Sequence, residues 1–196
     1  MRRTGAVSIH DRAEDDLRFI RRAMERSGTF TAVPGLGGVG MGVVGIAGAL
    51  VASVQPSAER WLATWLVAAV IAFVIGLTSM LRKATRAGIP LTGAVGRRFA
   101  LSLSAPLVAG AALTAGLIMS GNWSLMPAMW LLLYGTGVVT GGALSVRVVA
   151  VAGMCFMLLG MAALVSPPSW GNVWLGLGFG GVHMTFGGYV ARKHGG

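Results

Sequence analysis

The chain has 196 residues, of which 55% are hydrophobic and only 11% are charged, whereas a soluble domain carries about 25% charged residues. Its formal net charge of +10 would indicate a nucleic-acid-binding protein if the basic residues covered a soluble surface. They do not, because no Lys, Arg, Asp or Glu lies between Arg98 and Arg147, or between Arg147 and Arg192. The composition therefore excludes a soluble nucleic-acid binder and predicts an integral membrane protein.

The first predicted element is a short amphipathic helix over residues 9–27, in a cytoplasmic segment 1–28. Acidic residues occupy its first half and arginines its second half, which complements the helix dipole, and Glu14 and Arg18 have i,i+4 spacing. A narrow apolar stripe at coiled-coil spacing comprises Ala13, Leu17, Ile20 and Met24. This stripe has two interpretations: it lies on the membrane or the bundle, or it pairs with another copy or a cytoplasmic protein.

Six later segments have the roughly 20 mostly apolar residues that a membrane-spanning helix needs. They are residues 33–54, 60–81, 99–119, 125–146, 148–166 and 172–191. We therefore predict an all-α fold with six transmembrane helices in residues 29–196, arranged as three hairpins. Pro106 is predicted to interrupt the third segment, and Gly135 and Gly137 to loosen the fourth, which are features that transporters use.

The basic residues predict the orientation of these spans. With six spans, all of the 16 basic residues except Arg60 lie on one side, so both termini are predicted to be cytoplasmic. The six tryptophans fall next to the short loops on the other side, where indole rings favour the headgroup layer. We therefore expect a tryptophan belt at the outer interface.

The stretch "VPGLGGVGMG" contains the pattern G-x-G-x-x-G at Gly35, Gly37 and Gly40. A dinucleotide site needs this pattern between a strand and a helix, with an acidic residue about twenty positions later, and neither condition is met. The glycines are instead typical of close helix packing. The residues predicted to pack helices are Gly38, Gly42, Gly45, Gly137, Gly141, Gly176, Gly180 and Gly187. Because the glycine-rich faces of the first, fourth and sixth spans exceed what the packing of one six-helix bundle needs, we expect the chain to self-associate.

The third predicted hairpin reads "LLGMAALVSPPSWGNVWLGLGFGGVHMTFGGYVARK". It resembles the hairpin unit of the bacterial HdeD-type acid-resistance membrane proteins, which are six-span chains of three hairpins. The stretches "RSGTFTAVPGLGG" and "WLLLYGTGVVTGGALSVR" are similar to bacterial six-span membrane proteins of unknown function. The resemblance implies this fold and a location in the bacterial inner membrane, and it implies no chemistry.

His183 is the candidate cofactor-binding residue, because it lies near the middle of the sixth span. Gly176 and Gly187 lie within about 40° of it on the helix, so we expect the ring to face protein. We also expect a neutral imidazole, because burial disfavours the charged form and the spans carry no acid. The ring either bonds a Ser, Thr or carbonyl of a neighbouring helix, or binds haem with a second His183 or a methionine.

A candidate metal site comprises Met154, Met157 and Met161, which share a face of the fifth span near Cys155, together with His183. Thioether and thiolate groups suit Cu(I). Methionines also fill gaps between helices, which is the competing interpretation.

A candidate lipid-headgroup site comprises Arg82, Lys83, Arg86, Arg97 and Arg98 in the loop after the second span. Such clusters bind anionic lipids, although membrane orientation alone also accounts for basic residues here.

The sequence contains no carboxylate pair and no Ser/His/Asp set, so we expect no catalytic activity and no cofactor. The predicted function is an inner-membrane component with a structural, stress-related or partner-binding role. Its expected partners are the lipid bilayer and further copies of the chain, or a larger membrane complex, with no nucleic acid. The alternatives are a small transporter or channel, or a haem- or copper-binding protein that uses His183.

Overall fold

The computed structural model describes residues 14, 16–18, 20, 32–88 and 91–194. Among these residues there are helices and no strands, so the all-α prediction is confirmed. A π-helical segment, Gly176–Val182, separates the last two α-helices, and short 3-10 turns, Trp123–Leu125 and Pro168–Trp170, precede the helices that begin at Met126 and Gly171. The helices are α1 (Gly35–Ser53), α2 (Ala58–Arg86), α3 (Ala94–Met119), α4 (Met126–Gly142), α5 (Arg147–Val165), α6 (Gly171–Leu175) and α7 (His183–His194).

Within the described residues, five helices are long and apolar enough to cross a membrane. They are α1, α2, α3, α4 with the 3-10 turn before it, and α5, and they coincide with the first five predicted spans. Ser57 caps α2 by accepting a hydrogen bond from the backbone of Arg60 at 3.3 Å.

The sixth predicted span falls on residues 171–194, which are helical throughout but do not form one α-helix. The π-helical segment divides this run into α6 and α7, and neither of them has a spanning length. The sixth span and the arrangement as three hairpins therefore stay predictions.

The interruption that Pro106 predicts in the third span does not occur, so that prediction was wrong. Helix α3 continues past Pro106 from Ala94 to Met119, as membrane helices tolerate proline when neighbouring groups satisfy the freed carbonyl. Helix α4 also continues through Gly135 and Gly137. Both glycines are buried against neighbouring helices, Gly135 against Met157 and Gly137 against Leu103.

The helices pack as two connected groups. Helix α1 packs between α2 and residues 171–194, and α4 packs between α3 and α5. Residues 171–194 also contact α4 and α5, which joins the two groups. Only 11% of the most apolar window of α2 and of α3 is buried, against 39% in α1 and 44% in α4 with its preceding turn. Helices α2 and α3 therefore present most of their apolar surface to the surroundings of the bundle.

The predicted N-terminal helix 9–27 lies mostly outside the described residues. Those described, at positions 14, 16–18 and 20, are helical, and Arg18 donates to Glu14 at 3.2 Å, as the i,i+4 spacing predicts. Leu17 and Ile20 of the predicted stripe are exposed. Ala13 and Met24 lie outside the described residues.

Candidate functional site

The π-helical segment Gly176–Val182 holds His183 at its end. Its backbone carbonyls approach α1 closely, because a Cβ atom on Gly42 would lie 2.8 Å from the Gly180 oxygen. The glycines of α1 thus leave room for the wider turn. π-helical turns are rare and occur frequently at functional sites. The irregular turn adjoins the histidine that the sequence singles out.

Both ring nitrogens of His183 have protein partners. Nδ1 lies 3.1 Å from the Phe179 carbonyl oxygen, and Nε2 lies 2.8 Å from the Tyr134 hydroxyl. A carbonyl only accepts, so Nδ1 donates to Phe179. In a neutral ring Nε2 is then an acceptor, and the Tyr134 hydroxyl donates to it. This pair joins residues 171–194 to α4.

Aromatic rings surround this hydrogen bond. The His183 ring lies edge-on to Phe156 with centroids 5.1 Å apart, and it stacks on Phe179 at 6.3 Å. The Tyr134 ring contacts the same two rings at 4.9 and 5.2 Å. Phe156 has a relative exposure of 1%. The polar pair is therefore partly buried among aromatic side chains of α5 and the π-helical segment.

The predicted inward orientation of His183 agrees with these contacts, but its partner differs from those the sequence suggested. We expected a Ser, Thr or carbonyl of a neighbouring helix, and the structure has Tyr134 together with a carbonyl of its own helical run. Tyr134 and Tyr189 are the two tyrosines of the chain. The position of Tyr134 near the middle of a predicted span was the sequence signal that could have identified it as the partner of His183. Ligation of haem or copper by His183 would break one of the two bonds.

The predicted glycine faces of α1 and of residues 171–194 pack against each other. A Cβ atom on Gly187 would lie 2.7 Å from the Val39 nitrogen, and one on Gly38 would lie 3.0 Å from the Gly187 Cα atom. At the other end of this contact, a Cβ on Gly176 would lie 3.1 Å from the Ala49 Cβ. From Gly38 to Ala49 along α1, the contacting residues in the other helical run go from Gly187 back to Gly176. The two runs are therefore antiparallel.

The predicted glycines of α4 also pack within the chain. Cβ atoms on Gly137 and Gly141 would lie 3.3 Å from Leu103 and 3.2 Å from Phe99 of α3. These faces are thus occupied by neighbours in the same chain. Self-association stays a prediction, but the glycine faces no longer argue for it.

The three methionines of the candidate metal site have different surroundings. Met154 and Met161 are each 49% exposed, whereas Met157 lies against Gly135 of α4. His183 contacts α5 through Phe156, which is about 200° around the helix from Met154. The structure therefore does not bring Met154 together with His183.

The five predicted lipid-headgroup residues lie at one end of the bundle. Arg82, Arg86, Arg97 and Arg98 are exposed. Lys83 is only partly exposed, and its Nζ donates to the Val33 carbonyl at 3.0 Å, which ties α2 to the segment before α1. The exposed residues Arg147, Arg192 and Lys193 begin α5 or end α7.

The opposite end holds a tryptophan cluster that differs from the predicted belt. Trp61 and Trp65 of α2 both donate to Asn172 Oδ1, at 2.7 and 3.2 Å, and Trp61 stacks on Trp130 at 5.5 Å. Trp65 has a relative exposure of 4%. Trp170 has a relative exposure of 53%, as an indole in a headgroup belt would require. The cluster therefore joins α2, α4 and residues 171–194, and its indole rings do not simply form the predicted belt.

The arrangement offers hydrogen bonding and aromatic packing in the interior, and positive charge at one end. Comparisons with protein-family models, with curated proteins and with solved structures give no match to this chain.

Proposed function

We propose that the chain is a non-catalytic component of the bacterial inner membrane, with six spans and both termini in the cytoplasm. In this proposal residues 171–194 form the sixth span, because they are helical throughout and pack antiparallel to α1. With a sixth span, the exposed basic residues of α2, α3, α5 and α7 lie on one side, apart from Arg60, as the preference for cytoplasmic basic residues requires.

The observation that carries the non-catalytic role is the closed His183–Tyr134 pair. Both nitrogens of the imidazole are engaged by protein groups, and aromatic rings cover the pair. A general base or metal ligand needs a nitrogen that faces its substrate or metal. This histidine instead joins two helical elements, which supports a structural or partner-binding role. The stress-related form of that role rests on the resemblance to HdeD-type proteins.

One observation favours a second candidate, a small transporter or channel. The sixth helical run departs from α-helical geometry next to the His183–Tyr134 pair, and transporters use irregular helices beside polar groups near the midplane. Rearrangement of this segment would alter the hydrogen bond between residues 171–194 and α4.

A flux assay separates the two candidates. The full chain is reconstituted in liposomes, and the release of protons, potassium ions and small organic solutes is compared with that of protein-free liposomes. We expect no protein-dependent release. Release that disappears in His183→Ala and persists in Tyr189→Phe would establish the transporter and overturn the structural role.

Two further measurements test the rest of the proposal. Absorbance and metal analysis of the purified protein should show no Soret band and no copper, and either signal would replace the structural role with cofactor binding. Mass photometry in mild detergent and in nanodiscs tests the self-association expected from the sequence, which requires a mass above the 20.2 kDa monomer after subtraction of the carrier. A monomer under both conditions would contradict self-association.

A further inference from the structure

In the proposed membrane fold, the ends of α2 and α3 extend beyond the hydrocarbon layer on the basic side. Helix α2 has 29 residues and α3 has 26, so they are about 43 and 39 Å long, whereas the hydrocarbon core is about 30 Å thick. Arg82 lies about 33 Å along α2 from Arg60 at the tryptophan end, and Arg97 lies the same distance from Met119. Both arginines therefore reach the depth of the lipid phosphates.

The arginines at this depth point away from the core of the bundle. Arg82 and Arg86 are exposed and lie on one face of α2 at i,i+4 spacing, and Arg97 and Arg98 are exposed on α3. Ala84 of α2 packs in one small cluster with Phe99 of α3, so the two helix ends are held close together.

The rest of the bundle cannot neutralise these charges. After Glu25 the chain has one acidic residue, Glu59, which lies at the opposite end of α2. The counter-charge must therefore come from outside residues 26–196. Exposed arginines on neighbouring helix ends at phosphate depth fit anionic headgroups, since guanidinium groups bind phosphate through two parallel hydrogen bonds.

We propose that Arg82, Arg86, Arg97 and Arg98 form a binding surface for the headgroups of anionic phospholipids in the leaflet on the basic side. The proposal rests on the membrane-spanning fold proposed above. Lys83 is not part of this surface, because it is directed towards Val33. The other possible source of negative charge is the chain's own acidic segment, which comprises Asp11, Glu14, Asp15 and Asp16.

The test measures lipid selectivity. The full chain is incorporated in nanodiscs of equimolar phosphatidylglycerol and phosphatidylcholine, and the lipids that stay bound are counted by native mass spectrometry. We expect phosphatidylglycerol to be enriched, and the enrichment to fall when the discs are prepared at high salt. Equal retention of the two lipids would overturn the proposal.

Substitutions locate the surface. Arg82→Gln with Arg86→Gln, and separately Arg97→Gln with Arg98→Gln, should each lower the enrichment, with an upper bound of about fivefold for each arginine removed. Arg60→Gln, at the opposite end, is the matched control and should leave it unchanged. An equal loss in the control would contradict the location. Any double variant that fails to enter nanodiscs is replaced by its two single variants.

A final variant distinguishes lipid headgroups from the chain's own acidic residues as the source of the negative charge. Neutralising the four acids, by Asp11→Asn, Glu14→Gln, Asp15→Asn and Asp16→Asn, should leave the enrichment unchanged. A severalfold increase would mean that the N-terminal segment covers the arginines, and it would overturn the proposal. Failure of the wild-type chain to enter nanodiscs would contradict the membrane fold itself, whereas entry without selectivity contradicts only the lipid surface.

Discussion

The hydrogen bond between Tyr134 and His183 should stabilise the bundle by joining two helical elements within its core. The test is a double-mutant cycle with Tyr134→Phe, His183→Leu and the variant that carries both. Tyr134→Phe removes the hydroxyl and leaves Nε2 without its donor. His183→Leu leaves the Tyr134 hydroxyl without its acceptor and also releases the Phe179 carbonyl.

The expected magnitude follows from what each change leaves unpaired. A buried polar group without a partner costs about 1–3 kcal/mol, so each single variant should lose about that much free energy of unfolding. Hydrogen bonds between membrane helices contribute about 0.6 kcal/mol on average and at most about 1.7 kcal/mol in such cycles. Because aromatic rings pack around this partly buried bond, we expect a coupling energy of about 1–1.7 kcal/mol.

The assay is unfolding in mixed detergent micelles, followed by far-ultraviolet circular dichroism. Tyr189→Phe is the matched control, because Tyr189 is 49% exposed on α7, and it should change the free energy by less than about 0.5 kcal/mol. His183→Gln, which can donate and accept, should cost less than His183→Leu. Additive single variants, with a coupling below about 0.3 kcal/mol, would refute the role of this bond.

Further predictions concern helix packing and the tryptophan cluster. Gly187→Ala should lower the free energy of unfolding by about 1–3 kcal/mol, because its Cβ would lie 2.7 Å from the Val39 nitrogen, whereas Gly188→Ala meets nothing within 4 Å and should be neutral or stabilising in the same assay. Equal effects of the two alanines would contradict the antiparallel contact between α1 and α7. Asn172→Leu should cost about 1–3 kcal/mol and change the tryptophan emission, because Trp61 and Trp65 both lose their acceptor. Unchanged emission would mean that this shared acceptor is absent in solution.

Much of the architecture follows from hydropathy, because a helix in lipid must satisfy its backbone hydrogen bonds internally and needs a fixed apolar length. The first five spans could therefore be predicted to within a few residues, apart from the arginine-bearing C-terminal end of α2 and N-terminal end of α3. Those ends extend past the predicted limits at residues 81 and 99, because the helices continue into stretches that carry charged residues. Hydropathy does not report where helix formation ends in the headgroup layer.

The candidate site could be predicted only in part. Helical periodicity placed His183 towards protein, but pairing with Tyr134 depends on how residues 171–194 dock on α4, which periodicity does not report. Pro106 was the stronger sequence signal for an irregular helix, yet α3 is regular and the π-helical turn lies at Gly176–Val182. Where a helix departs from α-geometry depends on the neighbour that accepts the wider turn, here the glycines of α1.

The amino-acid sequence by itself determined the all-α class, five of the membrane-length helices, the separation of basic residues from tryptophans, and the inward face of His183. These properties are local, because they depend on the hydropathy and periodicity of one segment at a time. Only the tertiary structure decided that the glycine faces of α1 and of residues 171–194 are partners within one chain, and that the tryptophans share Asn172. Lipid is as apolar as the helix surfaces, so hydrophobicity cannot select partners inside a membrane, and shape and hydrogen bonds make the choice.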